Sequence, residues 1–263
     1  LVEDREPLEH ARRNPDVVQP AIYLASVLTA RVLIERGARP AVLGHSLGEI
    51  AALAIGGAFE LEKGLEAVAH RARSLRPALD VGGMLVLFAP LERTSSLLEA
   101  LGRATLEVAV LNLPDQTVVS GSHADLERLE KLAAHLEIGS TRLESNVPFH
   151  SRLLEGCVAP FAEALRGVSW RAPSLPVYSP IERDLYGPSS DLAAILSSHL
   201  VRPIAFHDAL EDLHELGVRR LVECGGGKAL SGIVQKALEG RIRATPTLHP
   251  AGKFAAGLER ALE

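Results

Sequence analysis

A serine set between glycines after a short apolar run is the first place in this chain where residue type and spacing could do chemistry. Ala41-Val42-Leu43 leads into Gly44-His45-Ser46-Leu47-Gly48, and a helix-forming stretch follows. Gly-x-Ser-x-Gly between a strand and a helix is the pattern of a nucleophile elbow, whose sharp turn lifts the serine hydroxyl above the sheet. Glycines at 44 and 48 would clear the space for that turn. A helix starting at Gly48 would put free N–H groups beneath the serine, with the Leu47 N–H as the candidate oxyanion donor. The same residues also suit a structural strand–loop–helix turn that performs no chemistry. A nucleophilic serine needs a base. Of the ten histidines, His45 is adjacent, but its side chain is expected to point away from Ser46. His150, in Ser145-Asn146-Val147-Pro148-Phe149-His150, is the more interesting one. Pro148 stiffens the turn before it, and it falls where an inserted domain would return to the main one. Against it stands the ordinary reading of a histidine as a surface or core residue. No carboxylate is visibly placed to orient it.

The elements that must position these residues follow from periodicity. Val17 to Glu35 reads as a helix, with Val18, Ile22, Ala25, Leu28 and Val32 near one face, closed by Gly37 and Pro40. Ala41 to Leu43 is a short strand, Gly48 to Ile55 a helix, and Leu61 to Leu79 a further helix, at least to Arg76. Met84 to Ala89, Glu92 to Leu101, Leu106 to Leu111, Thr117 to Ser120, Ala124 to Leu136 and Thr141 to Ser145 alternate as βαββαβ, the split βαβ unit. Beyond His150 come a helix, a strand at "LPVYSP", helices at Leu192–His199 and His207–Leu216, and a strand–turn–helix at "RRLVECGGGKALSGIVQKAL". This resumes the α/β pattern that stops near Leu79. The fold class is therefore α/β: a large domain with a parallel sheet flanked by helices, carrying an inserted small ferredoxin-like domain. The expected boundaries are 1–80 and 148–263 for the large domain and 81–147 for the insert.

Composition narrows the function classes. With 263 residues, 47% hydrophobic and 23% charged, the chain can bury a sizeable core. A net charge of −5 and only 4% aromatics argue against nucleic-acid binding and offer no stacking platform for single strands. No uninterrupted apolar run reaches the roughly 18 residues that span a bilayer, so no membrane partner is expected. The acidic, polar start "LVEDREPLEH" is no signal peptide. A first residue of Leu1 suggests a piece of something longer. Cys157 and Cys224 have no metal-ligand spacing and suit a reducing cytoplasm. "GGGK" at 225–228 lacks the spacing of a phosphate loop, since Ala229 follows the lysine, and reads as a tight turn.

Together, "GHSLGE" (44–49), "HRARSL…GGM" (70–84), "NLPDQTVVSG" (112–121), "VPFH" (147–150) and "VECGGGKALSG" (222–232) resemble the malonyl-CoA:acyl-carrier-protein transacylases and the acyltransferase domains of polyketide synthases. Order and spacing agree over nearly the whole chain. The resemblance implies an α/β-hydrolase-like large domain with a ferredoxin-like insert. It implies Ser46 as nucleophile, His150 as base, a main-chain carbonyl near Val201–Arg202 orienting the imidazole, and an acyl-enzyme formed from a coenzyme A thioester. The acyl group then passes to the phosphopantetheine thiol of an acyl carrier protein, in polyketide or fatty-acid synthesis. No bound cofactor and no metal are implied. Arg71, by itself one of several arginines with Arg73 and Arg76 on a helix face, matches the arginine that grips the free carboxylate of a malonyl group. Phe149 matches the malonyl-type pattern, where bulk crowds a 2-methyl substituent. His45 and Asn112 are further candidate substrate-binding residues. The carrier partner is acidic, and Arg12-Arg13, Arg171, Arg202 and Arg219-Arg220 are candidates to meet it.

One departure stands out. Members of the family begin with a strand and a Gly-Gln-Gly loop whose glutamine contributes to the oxyanion hole, upstream of anything in this chain. The expectation is that the native protein has that segment. Two other functions remain in view: an acyl hydrolase of the same fold that clears misloaded carriers, which Arg71 disfavours, and a non-catalytic docking domain, which intact Ser46 and His150 disfavour.

Overall fold

The computed structural model describes residues 14–248 and 254–262. Arg12 and Arg13 lie outside the described residues. The chain divides into two compact units, one comprising Ala69–Gly167, Leu192–Ile204 and the described part of Leu1–Pro20, the other Ala21–Val68, Val168–Asp191 and the described part of Ala205–Glu263. The first unit is wider than the 81–147 insert expected from the sequence. It takes in Arg71 before the insert and His150 after it.

The first unit is built on β2 (Gly82–Leu87), α4 (Leu91–Ala100), β3 (Glu107–Leu113), β4 (Gln116–Ser122), α5 (His123–His135) and β5 (Ser140–Arg142). The strands lie in the order β5-β2-β4-β3, each neighbouring pair antiparallel. That is the split βαβ arrangement. Period-two alternation sends Leu85, Leu87 and Val119 to one face, where Leu97, Leu98, Leu126, Leu129 and Ala133 of the two helices cover them. Ser122 caps α5 by accepting the Asp125 N–H at 3.2 Å. Two further helices, α6 (Glu155–Leu165) and α7 (Leu192–Ser198), pack on each other. A short strand, β8 (Ile204–Ala205), adds to the sheet beside β3.

The second unit holds the remaining strands in two pieces. β1 (Val42–Leu43) pairs in parallel with β6 (Val177–Ser179), and β7 (Asp184–Leu185) runs antiparallel to β6. β9 (Arg220–Gly226) and β10 (Arg243–Leu248) form a second parallel pair. Helices α2 (Gly48–Ile55), α8 (Phe206–Glu215), α9 (Ala229–Ala237) and α10 (Phe254–Leu262) accompany them. β10 was not foreseen; "RATPTL" carries Pro246, which removes a ladder donor, and the register shifts beyond it. α10 was likewise missed.

Two long helices, α1 (Pro15–Glu35) and α3 (Leu61–Ser74), contain the division between the units. α3 stops earlier than the expected Leu79, and Pro77 sits in a separate 3-10 turn, Arg76–Ala78. In α1 the expected face is wrong. Ile22 and Leu28 are about half exposed, while Gln19, Tyr23, Val27, Ala30 and Leu33 are buried. A helix apolar on nearly every side offers no single stripe to read, so the phase is set by what packs against it. α1 is also long and apolar enough to cross a membrane by length and composition, at a mean hydropathy of 1.7. Counting uninterrupted apolar residues had not detected this. A third of that window is buried inside the protein.

Candidate active site

In the second unit the elbow is formed as the spacing predicts. Ser46 has φ +55°, a left-handed conformation that non-glycine residues rarely hold. The N–H groups of Gly48, Glu49 and Ile50 close the turn onto the carbonyls of His45, Ser46 and Leu47 at 3.0, 2.9 and 3.1 Å. The Leu47 N–H takes no part in these turn bonds, which suits it to receive an oxyanion. The His45 ring packs edge-on against Phe206, centroids 4.7 Å apart.

The two glycines of the elbow are not equivalent. A Cβ on Gly44 would lie 2.2 Å from the Glu49 Cα, whereas one on Gly48 would meet nothing within 4 Å. Only Gly44 is demanded by a close approach, so the expectation that both glycines clear space is corrected at Gly48. Gly44→Ala is therefore expected to abolish the folded elbow, while Gly48→Ala, at a helix start, should keep or raise the melting temperature. Thermal melts of the two variants check this.

Behind the serine the first turn of α2 is anchored by a buried acid. Glu49, 0% exposed, accepts a hydrogen bond from the Tyr186 hydroxyl at 2.6 Å. Burial, with the Glu49 charge, pushes the Tyr186 phenol well above its ordinary range, so it stays a donor. The Gly225–Gly227 turn, with φ +145° and +108° at its first and last glycines, is a strand-to-helix bend as read from the sequence. The Glu223 carboxylate accepts from the N–H groups of Leu230 and Ser231 at 3.2 and 2.8 Å and occupies the start of α9.

The first unit gathers the other candidates. Arg71 is 3% exposed, and its Nη1 donates to Gln19 Oε1 at 2.8 Å. Its guanidinium carbon stands 5.0 Å from the centre of the Phe149 ring, a cation–π contact. Among the described residues no carboxylate pairs with it. Burial alone pulls its pKa down to about 10. The helix-face reading of Arg71 as a solvated arginine is thus replaced by a buried, uncompensated cation. Phe149 reaches Arg71, while Asn112 is placed near the end of β3 in the same unit, largely buried.

His150 also has a left-handed backbone, φ +60°, and is 2% exposed. Its Nδ1 lies 2.9 Å from the Arg202 carbonyl, in the stretch singled out above. A carbonyl only accepts, so Nδ1 carries the proton and the neutral ring keeps its lone pair on Nε2. That is the tautomer a general base needs.

A neighbour of these groups escaped sequence reading. His199, at the end of α7, is fully buried, and its pKa is held well below 6.5 by burial first and then by His150, Arg71 and Arg202. It is neutral in the fold, while the unfolded chain takes up a proton below 6.5. Stability should therefore fall as pH drops below 6.5, by at most about 1.4 kcal/mol per pH unit. His199→Gln should flatten that slope between about pH 5 and 6.5 in denaturant titrations. Gln19 was missed for a definite reason: the wrong phase of α1 put it on the solvent side. A glutamine inside an otherwise apolar helix was the available signal.

Three of the arginines considered for an acidic partner, Arg171, Arg219 and Arg220, also bond within the chain. Arg171 donates to the Gly57 carbonyl and to Glu60 at 2.6 and 2.9 Å. Arg219 donates to the carbonyls of His214 and Val218, and Arg220 to that of Ala261. Among the described residues no three His, Cys, Asp or Glu side chains come together as a metal-ligand group.

Comparison with known proteins places most of the chain in one family. The profile of the acyl transferase domain family matches residues 9–259. A polyketide synthase of Streptomyces halstedii is 35% identical over 230 residues, 84% of this chain but only 4% of that protein. The malonyl CoA-acyl carrier protein transacylase of Bacillus subtilis is 30% identical over 83% of this chain and 71% of its own length. The acyltransferase domain from the second module of the salinomycin polyketide synthase superposes with a TM-score of 0.89 at 27% identity, covering 96% of this chain and 60% of the other. With the family profile spanning nearly its whole length, the chain belongs to the acyl transferase domain family.

Proposed function

We propose that this chain transfers a malonyl-type acyl group from coenzyme A to the phosphopantetheine thiol of an acyl carrier protein, by way of an ester on Ser46, in polyketide or fatty-acid synthesis. His150 Nε2 takes the proton as Ser46 Oγ attacks the thioester carbonyl. The oxyanion is received by the Leu47 N–H, and the coenzyme A thiolate leaves with the proton from His150. The carrier thiol then attacks the ester with the same base and restores Ser46. Two easier acyl exchanges replace one. Arg71 carries the choice of acyl group: a buried guanidinium with no carboxylate partner among the described residues is suited to pair with the free carboxylate of a malonyl unit. The Phe149 ring against Arg71 supports a preference for malonyl over methylmalonyl, since its bulk would crowd a 2-methyl substituent, for about 1–3 kcal/mol.

Arg71 is the observation that carries the reading, because an enzyme for acetyl groups has no use for it. The test is intact-mass analysis of the protein offered malonyl-CoA, methylmalonyl-CoA and acetyl-CoA together, followed by a phosphopantetheinylated carrier protein. A malonyl adduct that moves to the carrier supports the proposal. An adduct lost to water as fast with the carrier as without it would mean a hydrolase; no adduct at all would mean a docking domain or an enzyme that needs the upstream glutamine loop, and repeating the assay with upstream residues restored separates those two.

A further inference from the structure

We infer that Ser120 is a positioning residue for His150, holding from the sheet the peptide that precedes the histidine. The inference rests on the reading of His150 as the base. Ser120 lies on β4, a central strand fixed by six consecutive pairs with β2, from Gly82↔Ser122 to Leu87↔Thr117. Val119 belongs to the core under α4 and α5, so strand alternation turns Ser120 to the opposite face. There it is 0% exposed. A hydroxyl that deep needs a partner, and Ser120 Oγ donates to the main-chain carbonyl of Phe149, 29 residues further on.

That carbonyl belongs to the peptide whose rotation about the His150 N–Cα bond is the His150 φ angle. At φ +60° the angle is one a histidine does not hold unaided. Three further bonds of the turn are local. Ser151 Oγ donates to the Pro148 carbonyl at 2.7 Å, Ser145 Oγ to that of Val147 at 2.8 Å, and the Phe149 N–H to that of Val147 at 3.0 Å. They shape the turn from within, while its ends are tied back by the Asp80 N–H donating to the Asn146 carbonyl at 2.9 Å and the Arg152 N–H donating to Glu107 of β3 at 2.7 Å. Ser120 ties to the sheet the peptide next to His150 itself, and the Arg202 carbonyl holds the ring through Nδ1. Backbone and ring are thus gripped by separate elements, which fixes the direction in which Nε2 points.

A double-mutant cycle separates this role from general stability. Single-turnover acylation of Ser46 by malonyl-CoA is measured by intact mass in the unaltered protein, S120A, H150A and the double variant. S120A should slow acylation about 10- to 100-fold at saturating substrate, as a misplaced catalytic group does, with the half-saturating concentration changed by less than about two-fold. In the H150A background the same substitution should change nothing further. Equal slowing in both backgrounds, or none in either, would overturn the inference. H150A as fast as the unaltered protein would instead sink the assignment of the base. Should S120A not fold, S120C keeps the size with a weaker donor, and slowing confined to the His150 background is again the required result.

Discussion

Ser46→Ala is expected to lose the acyl adduct altogether and to lower transfer by at least about 10⁴-fold, or roughly 5.5 kcal/mol of transition-state stabilisation. The change removes one oxygen and leaves the turn bonds through Gly48, Glu49 and Ile50, all made by the backbone. The left-handed backbone at φ +55° is no harder for alanine than for serine, so the variant should fold and melt like its parent. His150→Ala is expected to cost a comparable factor. Combining the two should cost little more than either alone, because nucleophile and base act as a unit. Intact mass gives the adduct, and transfer to a carrier protein in single turnover gives the rate. A residual adduct on the alanine variant would place the nucleophile elsewhere.

Arg71→Ala should abolish the preference for malonyl over acetyl thioesters, by about 10²- to 10⁴-fold in the ratio of kcat/KM values. Two charge-assisted hydrogen bonds to a carboxylate, each about 1.5–3 kcal/mol, supply that range. Acetyl transfer should change far less. Arg71→Lys should not rescue, since an ammonium lacks the flat fork that meets both carboxylate oxygens. The stability effect runs the other way. Among the described residues no anion pairs with the buried guanidinium, and its pKa sits near 10 against an ordinary 12.5. A base whose folded pKa is depressed destabilises the fold at every pH where it is charged, so neutral pH carries the whole penalty. Arg71→Met, apolar and of similar length, is therefore expected to raise the melting temperature by about 2–4 °C while losing malonyl selectivity. Calorimetry on the two proteins decides it. A lower melting temperature would mean that Gln19 and Phe149 already compensate the charge.

Much of the fold was legible because its signals are local. The βαββαβ run carries period-two strands, period-3.6 helices and turn residues in short alternation, and each expected element lies within a few residues of the observed one. The elbow was legible for the same reason, its strand, turn and helix being adjacent in the chain. What the sequence hid depends on packing. The phase of α1 could not be read from a helix apolar on most sides, and with it went Gln19, the hydrogen-bond partner of Arg71. The burial of Arg71 was equally invisible, since Arg71, Arg73 and Arg76 look alike in a row. Pro246 disguised β10. The Ser120 bond spans 29 residues, and no local pattern announces a contact of that range.

The left-handed Ser46 also bears on how this protein would fare in laboratory evolution. Glycine holds φ +55° without the steric penalty that any other residue there must carry. A library screened only for survival of heating should therefore accept glycine at 46 readily, and chains so changed would be sturdy and silent. Selection for durability and selection for turnover pull this one position in opposite directions. A sequence collected from a thermostability screen that reads Gly-His-Gly at 44–46 would record which of the two had been applied.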